Sequence, residues 1–169
     1  MASAQERVAH VWRRLGFGPA PGDVEAGVTA GGASVVIEQL LSRPPTGLAD
    51  WNWPVEDGTW EDNTRFVSRA FELWSESAQP LQDRITWILM GLLVISPTDF
   101  VQFKELKEHQ NRLRSWMLAP SYKALLAEVT ESGPMQKFLT NIFSMPPHPN
   151  ENLAREVMEL FSLGVTNPR

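Results

Sequence analysis

Apolar residues recur along this chain three and four apart, segment after segment. No stretch alternates apolar and polar positions with the period of two that a half-buried strand needs. Val8, Val11, Trp12 and Leu15 trace one face of a helix over residues 3–15, opened by Ser3 and Glu6 at capping-box spacing and stopped by Gly16, Gly18, Pro19 and Pro21. Asp23 is placed to cap a short helix that fails at Gly31 and Gly32. Ser34 is placed to cap the next, with Val36, Ile37, Leu40 and Leu41 as its apolar face and Pro44-Pro45 as its end. Thr59 opens a longer helix to about residue 76, with Trp60, Phe66, Ala70, Leu73 and Trp74 inward.

Pro80 suits the first helical position of the most apolar segment, whose residues 85–95 hold one Thr and one Gly among large apolar side chains. Asp99 then starts a helix in which Phe100, Phe103, Leu106, Gln110, Leu113 and Met117 form one stripe. Lys104, Glu105, Lys107, Glu108, Arg112 and Arg114 fall on its other, solvated faces. Pro120 opens a helix with Tyr122, Leu125, Leu126 and Val129 inward, and Pro134 begins a short segment to residue 143. Pro146-Pro147-His148-Pro149 forces an extended connection, after which Asn150 caps a last helix ending near Gly164. The expected fold is all-α: one domain, an irregular array of eight or nine helices around a single buried apolar helix at 85–95.

Composition narrows the picture without naming a function. A chain of 169 residues with 43% hydrophobic side chains is long enough to bury a core unaided, and too apolar for wholesale disorder. The net charge of −5 argues against general nucleic-acid binding, which wants a basic stripe to neutralise phosphates. The absence of Cys removes disulfides, thiol nucleophiles and cysteine-ligated metals. The apolar run 85–95 is well short of the ~20 residues of a membrane span, and residues 1–10 lack a signal-peptide core, so a cytoplasmic location is expected. Seven Trp is a high count. Residues 46–59 are aperiodic and hold Trp51 and Trp53, with Trp60 just after. Rings in such a loop more often plug a helical core than form a stacking surface for a sugar or a partner chain.

Candidate chemistry concentrates in the last helix. Asn150, Glu151, Asn152, Arg155, Glu156 and Glu159 put three carboxylates, two amides and a guanidinium within ten residues. Leu153, Val157, Leu160, Phe161 and Gly164 take the core-facing side, while Asn152, Glu156 and Glu159 share another. Glu151, Arg155 and Glu159 form an ion-pair ladder at spacing four. Buried, such carboxylates would hold a proton or a cation, making Glu151, Glu156 and Glu159 the candidate catalytic groups; exposed, they are a salt-bridged surface. His148 could join Glu151 and Glu156 as a metal ligand, although a histidine between prolines more often faces solvent. His10 and His109 read as helix residues outside any ligand set. No G-x-S-x-G elbow or P-loop occurs.

The run from Pro149 to Gly164 resembles the signature of the bacterial domain-of-unknown-function family 1800, P-N-E-N-x-A-R-E-x-M-E-L-x-x-L-G, at every fixed position. Arg14-Leu15-Gly16-Phe17-Gly18-Pro19-Ala20-Pro21 is similar to the family's opening R-x-x-F-G-P segment. The resemblance implies a helical fold corresponding to the first third of longer members, and carries no settled activity. Two features depart from it. Members often carry W-H-x-H-F, where this chain has Ile88 and Met90 after Trp87 in the two histidine positions. Thr140 stands where a Tyr-Leu-Asp-Asn segment would place Asp.

These features favour a non-catalytic scaffold or protein-interaction module, a shortened relative without a cofactor. Its partner would be a second polypeptide, or a second copy, meeting apolar surface that longer members cover with their C-terminal region. The alternative expectation is an enzyme or metal-binding domain built on the 150–159 cluster.

Overall fold

In a computed structural model, residues 1–46, 60–98, 101–118 and 121–164 are described, with the side chains of all except 60–67 and 117–118. Thr59 as a cap, the Trp51, Trp53 and Trp60 rings, and the starts at Asp99 and Pro120 lie outside that description. Among the described residues the regular structure is nine α-helices and two 3-10 turns, with no strand beyond one isolated bridge. The fold is all-α. The chain divides into two compact units, Met1–Thr46 with Phe66–Ile85, and Gly47–Arg65 with Thr86–Arg169.

In the first unit, α1 (Ala4–Leu15) begins as its sequence asks. The Glu6 N–H donates to Ser3 Oγ at 3.1 Å, and the Ser3 N–H donates to Glu6 Oε2 at 2.6 Å. α2 (Asp23–Thr29) and α3 (Ala33–Ser42) are both entered through glycine, at Gly22 and Gly32, whose φ values of 90° and 94° suit a residue without Cβ. The chain therefore turns one residue before Asp23 and two before Ser34, and neither caps its helix. Asp23 instead accepts the Ala20 N–H at 2.7 Å.

Val8, Val11, Val36, Leu40 and Leu81 make the core of this unit, with Trp12, Leu15, Val24, Val28 and Ile85 packed around them. Burial of each such side chain is worth about 1.5–3 kcal/mol. Gly27 is what lets α2 approach: a Cβ there would stand 2.7 Å from Val8 Cγ1 and 2.9 Å from Val36 Cγ2. α4 (Trp60–Ser75) and the start of α5 (Pro80–Leu92) bring Trp74 and Arg84 to Phe17. Phe17 stacks on Trp74 with centroids 5.5 Å apart, and the Arg84 guanidinium lies 5.6 Å from the Phe17 centroid.

The second unit corrects the expectation of a buried helix at 85–95. Thr86, Leu89 and Leu93 are buried, but Trp87, Ile88, Leu92 and Val94 are exposed. At 3.6 residues per turn, 88 and 92 point away from the side that carries 86, 89 and 93, so the segment is buried on one side only. α6 (Phe103–Arg114), α7 (Tyr122–Thr130) and α8 (Gly133–Phe138) pack around Phe103, Leu113, Leu125, Val129 and Met135. Ser121 and Ser132 cap α7 and α8 through their hydroxyls. α9 (Asn152–Glu159) ends five residues before Gly164 and shares no substantial packing with α5. The proline-rich segment before it is a tight turn and not an extended connection, with the His148 N–H donating to the Met145 carbonyl at 2.7 Å.

Candidate functional site

Asn150 organises the entry to α9. Its Oδ1 accepts the Asn152 N–H at 2.9 Å, and its Nδ2 donates to the Leu139 carbonyl at 3.1 Å and to Thr140 Oγ1 at 3.0 Å. Its own N–H donates to Ser144 Oγ at 3.1 Å. One amide thus ties the start of the helix to the segment after α8, where Thr140 adopts a left-handed φ of 56°. The hydroxyl at Thr140, in the position where the resemblance expects Asp, accepts from Asn150 and is part of this staple.

The rest of the cluster is a surface. Glu151 and Arg155 are exposed, while Asn152, Glu156 and Glu159 are half-buried. Arg155 donates to Asn152 Oδ1 at 2.8 Å and pairs with Glu156 at 3.7 Å, so the expected Glu151–Arg155–Glu159 ladder is replaced by bonds to other neighbours. His148 is exposed. Among the described residues no group of three or more His, Asp or Glu is placed to hold a metal ion.

The core-facing side expected for this helix is also revised. α9 buries none of its eight residues. Phe161 is buried, beyond the helix end, and its carbonyl accepts the Tyr122 hydroxyl at 2.7 Å. Burial raises the Tyr122 pKa above its ordinary value. Leu160 is 54% exposed, Met158 55% and Leu163 77%. Ile142, Phe143 and Met145, just ahead of the Asn150 staple, are exposed as well.

The buried chemistry lies elsewhere, on α6. Glu105, His109, Gln110 and Arg114 are all buried, although the sequence pattern assigns all but Gln110 to charged or neutral outer faces. The Glu105 carboxylate accepts from Lys137 of α8 and, at 3.0 Å, from the Gln102 N–H. Burial works against its charge, but the bonds from Lys137 and the Gln102 and Glu105 backbone outweigh it, and its pKa is lowered. His109 is 2% exposed, with Nε2 2.6 Å from the Leu93 carbonyl. A carbonyl can only accept, so Nε2 carries the proton and Nδ1 the lone pair. Burial is the main reason its pKa falls to about 4, with Arg112 adding to the fall and the Leu93 carbonyl and Glu108 opposing it.

His109 Nδ1 and both amide atoms of Gln110, itself 1% exposed, are buried without a hydrogen-bond partner among the described residues. The signal that could have found this site is spacing. Glu105 and His109 stand one turn apart, as do Gln110 and Arg114, so two pairs share neighbouring faces with Leu113.

Compared with known proteins, residues 10–168 match the model of a family described as a protein of unknown function (DUF1800). No curated protein and no solved structure matches. Among the described residues no helix is long and apolar enough to cross a membrane.

Proposed function

The chain belongs to the DUF1800 family, and from that premise we propose that it is a non-catalytic, cytoplasmic interaction module that docks a second copy of itself through the 142–163 surface. One observation carries this reading: the helix bearing the family signature buries none of its residues, while Met158, Leu160 and Leu163 are exposed on it and just beyond it. Large apolar side chains gathered in one short stretch of surface mark interaction sites more often than scattered ones do.

Charge favours a second copy as the occupant. The helix and its N-cap present exposed Arg155 between Glu151 and Glu159, and a two-fold axis offset by half a turn lets Arg155 of each copy meet Glu151 of the other. In this reading Glu151, Glu156 and Glu159 orient the docked copies and no cofactor is required. The test is molar mass by light scattering across a wide concentration range. The mass should rise from monomer toward dimer, and Leu160→Ser with Leu163→Ser should hold the protein monomeric with unchanged helical circular dichroism. A wild-type chain that stays monomeric at the highest concentration contradicts the proposal.

A further inference from the structure

The segment resembling the family's opening motif has a role that docking does not use: it walls a cavity of about 390 Å³ in the first unit. Trp12, Phe17 and Pro80 give the cavity apolar surface, and Arg43, Asp23 and Glu76 bring charge to it. We infer that this cavity binds a small zwitterion, a short chain with a carboxylate at one end and an ammonium at the other.

Among the described residues, the charges that line this cavity do not pair with one another. Arg43 donates through one guanidinium nitrogen to the Ala78 carbonyl at 2.7 Å, which orients the group, and it pairs with no carboxylate among the described residues. Asp23 uses one oxygen to accept the Ala20 N–H at 2.7 Å, and it meets no cation. Glu76 is exposed and likewise makes no ion pair among the described residues. Flexible side chains of opposite sign around a common space ordinarily close on one another. Here local bonds to the main chain hold Arg43 and Asp23 in separate places, and a guest carrying both charges answers both walls.

The walls are built to keep that geometry. Phe17 is stacked on the Trp74 ring and contacted by the Arg84 guanidinium, and both contacts keep it in the wall. Gly18 follows it with a φ of 121°, a conformation that L side chains rarely adopt. The volume lies near the lower end of small-molecule sites, the range of an amino-acid-sized guest. The methylene chain of such a guest would lie against Trp12 and Phe17, its carboxylate toward Arg43 and its ammonium toward Asp23 and Glu76.

The test uses glycine, 4-aminobutyrate and 6-aminohexanoate as probes, with butyrate and butylamine as single-charge controls. Binding is followed by shifts of the tryptophan indole resonances and by calorimetry. At least one of the three zwitterions should saturate the protein at millimolar concentration and bind at least tenfold more tightly than either control. Arg43→Gln, Asp23→Asn and Glu76→Gln should each weaken it, the first two by about tenfold, the loss of one charge-assisted hydrogen bond. Thermal midpoints of the three variants show that the fold is intact; Glu76, being exposed, serves where either of the others is destabilised. No saturation by any of the three zwitterions overturns the proposal. So does equal binding of the controls, or affinity unchanged in folded Arg43→Gln and Asp23→Asn. The light-scattering test of docking reads the other unit's surface, so either result stands without the other.

Discussion

The two units bury polar side chains in different ways. In the first, Gln82 and Asp83 are both buried and both satisfied, since the Gln82 amide donates to and accepts from the Thr46 main chain at 2.9 and 3.1 Å and Asp83 accepts from the Ser77 hydroxyl, although the Trp12 indole N–H is buried there without a partner among the described residues. In the second the unmet share is larger: Glu105 is satisfied by Lys137, but among the described residues His109 Nδ1 and both amide atoms of Gln110 have no partner. A satisfied polar group locks a core, whereas an orphaned one costs about 1–3 kcal/mol and marks where the packing has been decided by something other than stability. The second unit therefore carries the larger reserve of instability, and acid should find it first.

The largest effect should come from pH. His109 has a folded pKa of about 4 against 6.5 when unfolded, so between these values the unfolded chain takes up a proton that the folded one refuses. Stability contributed above pH 6.5 is lost as the pH falls toward 4, by about 3 kcal/mol. Denaturant unfolding from pH 7 to 4 should show this slope, and His109→Leu should flatten it. Glu105, whose pKa is lowered, loses its contribution in the same direction at still lower pH.

Next in size is Glu105→Ala, which removes a buried carboxylate together with its bonds from half-exposed Lys137 and the Gln102 N–H, and should cost about 2 kcal/mol by chemical denaturation. Gly27→Ala should cost about 1–2 kcal/mol in spite of alanine's better helix propensity, because the new methyl meets Val8 and Val36 below 3.0 Å. Gln110→Leu should be neutral or stabilise by up to about 1 kcal/mol, since it removes two orphaned atoms at similar volume. Smallest of all, Glu156→Gln and Glu159→Gln should each stay within about 0.5 kcal/mol, since both are half-buried side chains outside any buried polar network. A large loss in that last pair would move the polar site back to α9.

The same contrast explains what the sequence could reveal. The first unit is apolar where it packs, so Val8, Val11, Val36 and Leu40 announce its helices through spacing alone. Even there, the entries at Gly22 and Gly32 displaced the caps expected at Asp23 and Ser34, because a glycine turn leaves no trace in periodicity. In the second unit a charged pattern hid a buried face: Lys137 lies 32 residues from Glu105, and no local reading pairs them. The apolar run at 85–95 misled for the converse reason, since hydrophobicity all around a helix does not say which side is covered. The sequence places Asn150 as the cap of α9, but Glu151 takes the N-cap position. Asn150 instead accepts the Asn152 N–H from one residue earlier, and its bonds back to Leu139 and Thr140 depend on the turn that brings the two segments together.

The central claim, that copies of the chain meet through the 142–163 surface, has a direct measurement because the sequence contains no cysteine. Leu163→Cys, at an exposed position, supplies the only thiol for a spin label. Labelled protein is mixed with isotope-labelled, unmodified protein, and line broadening in the unmodified copy is mapped by residue. The account predicts concentration-dependent broadening centred on residues 142–163. Absence of broadening at high concentration, or broadening confined to residues 1–46, would contradict it.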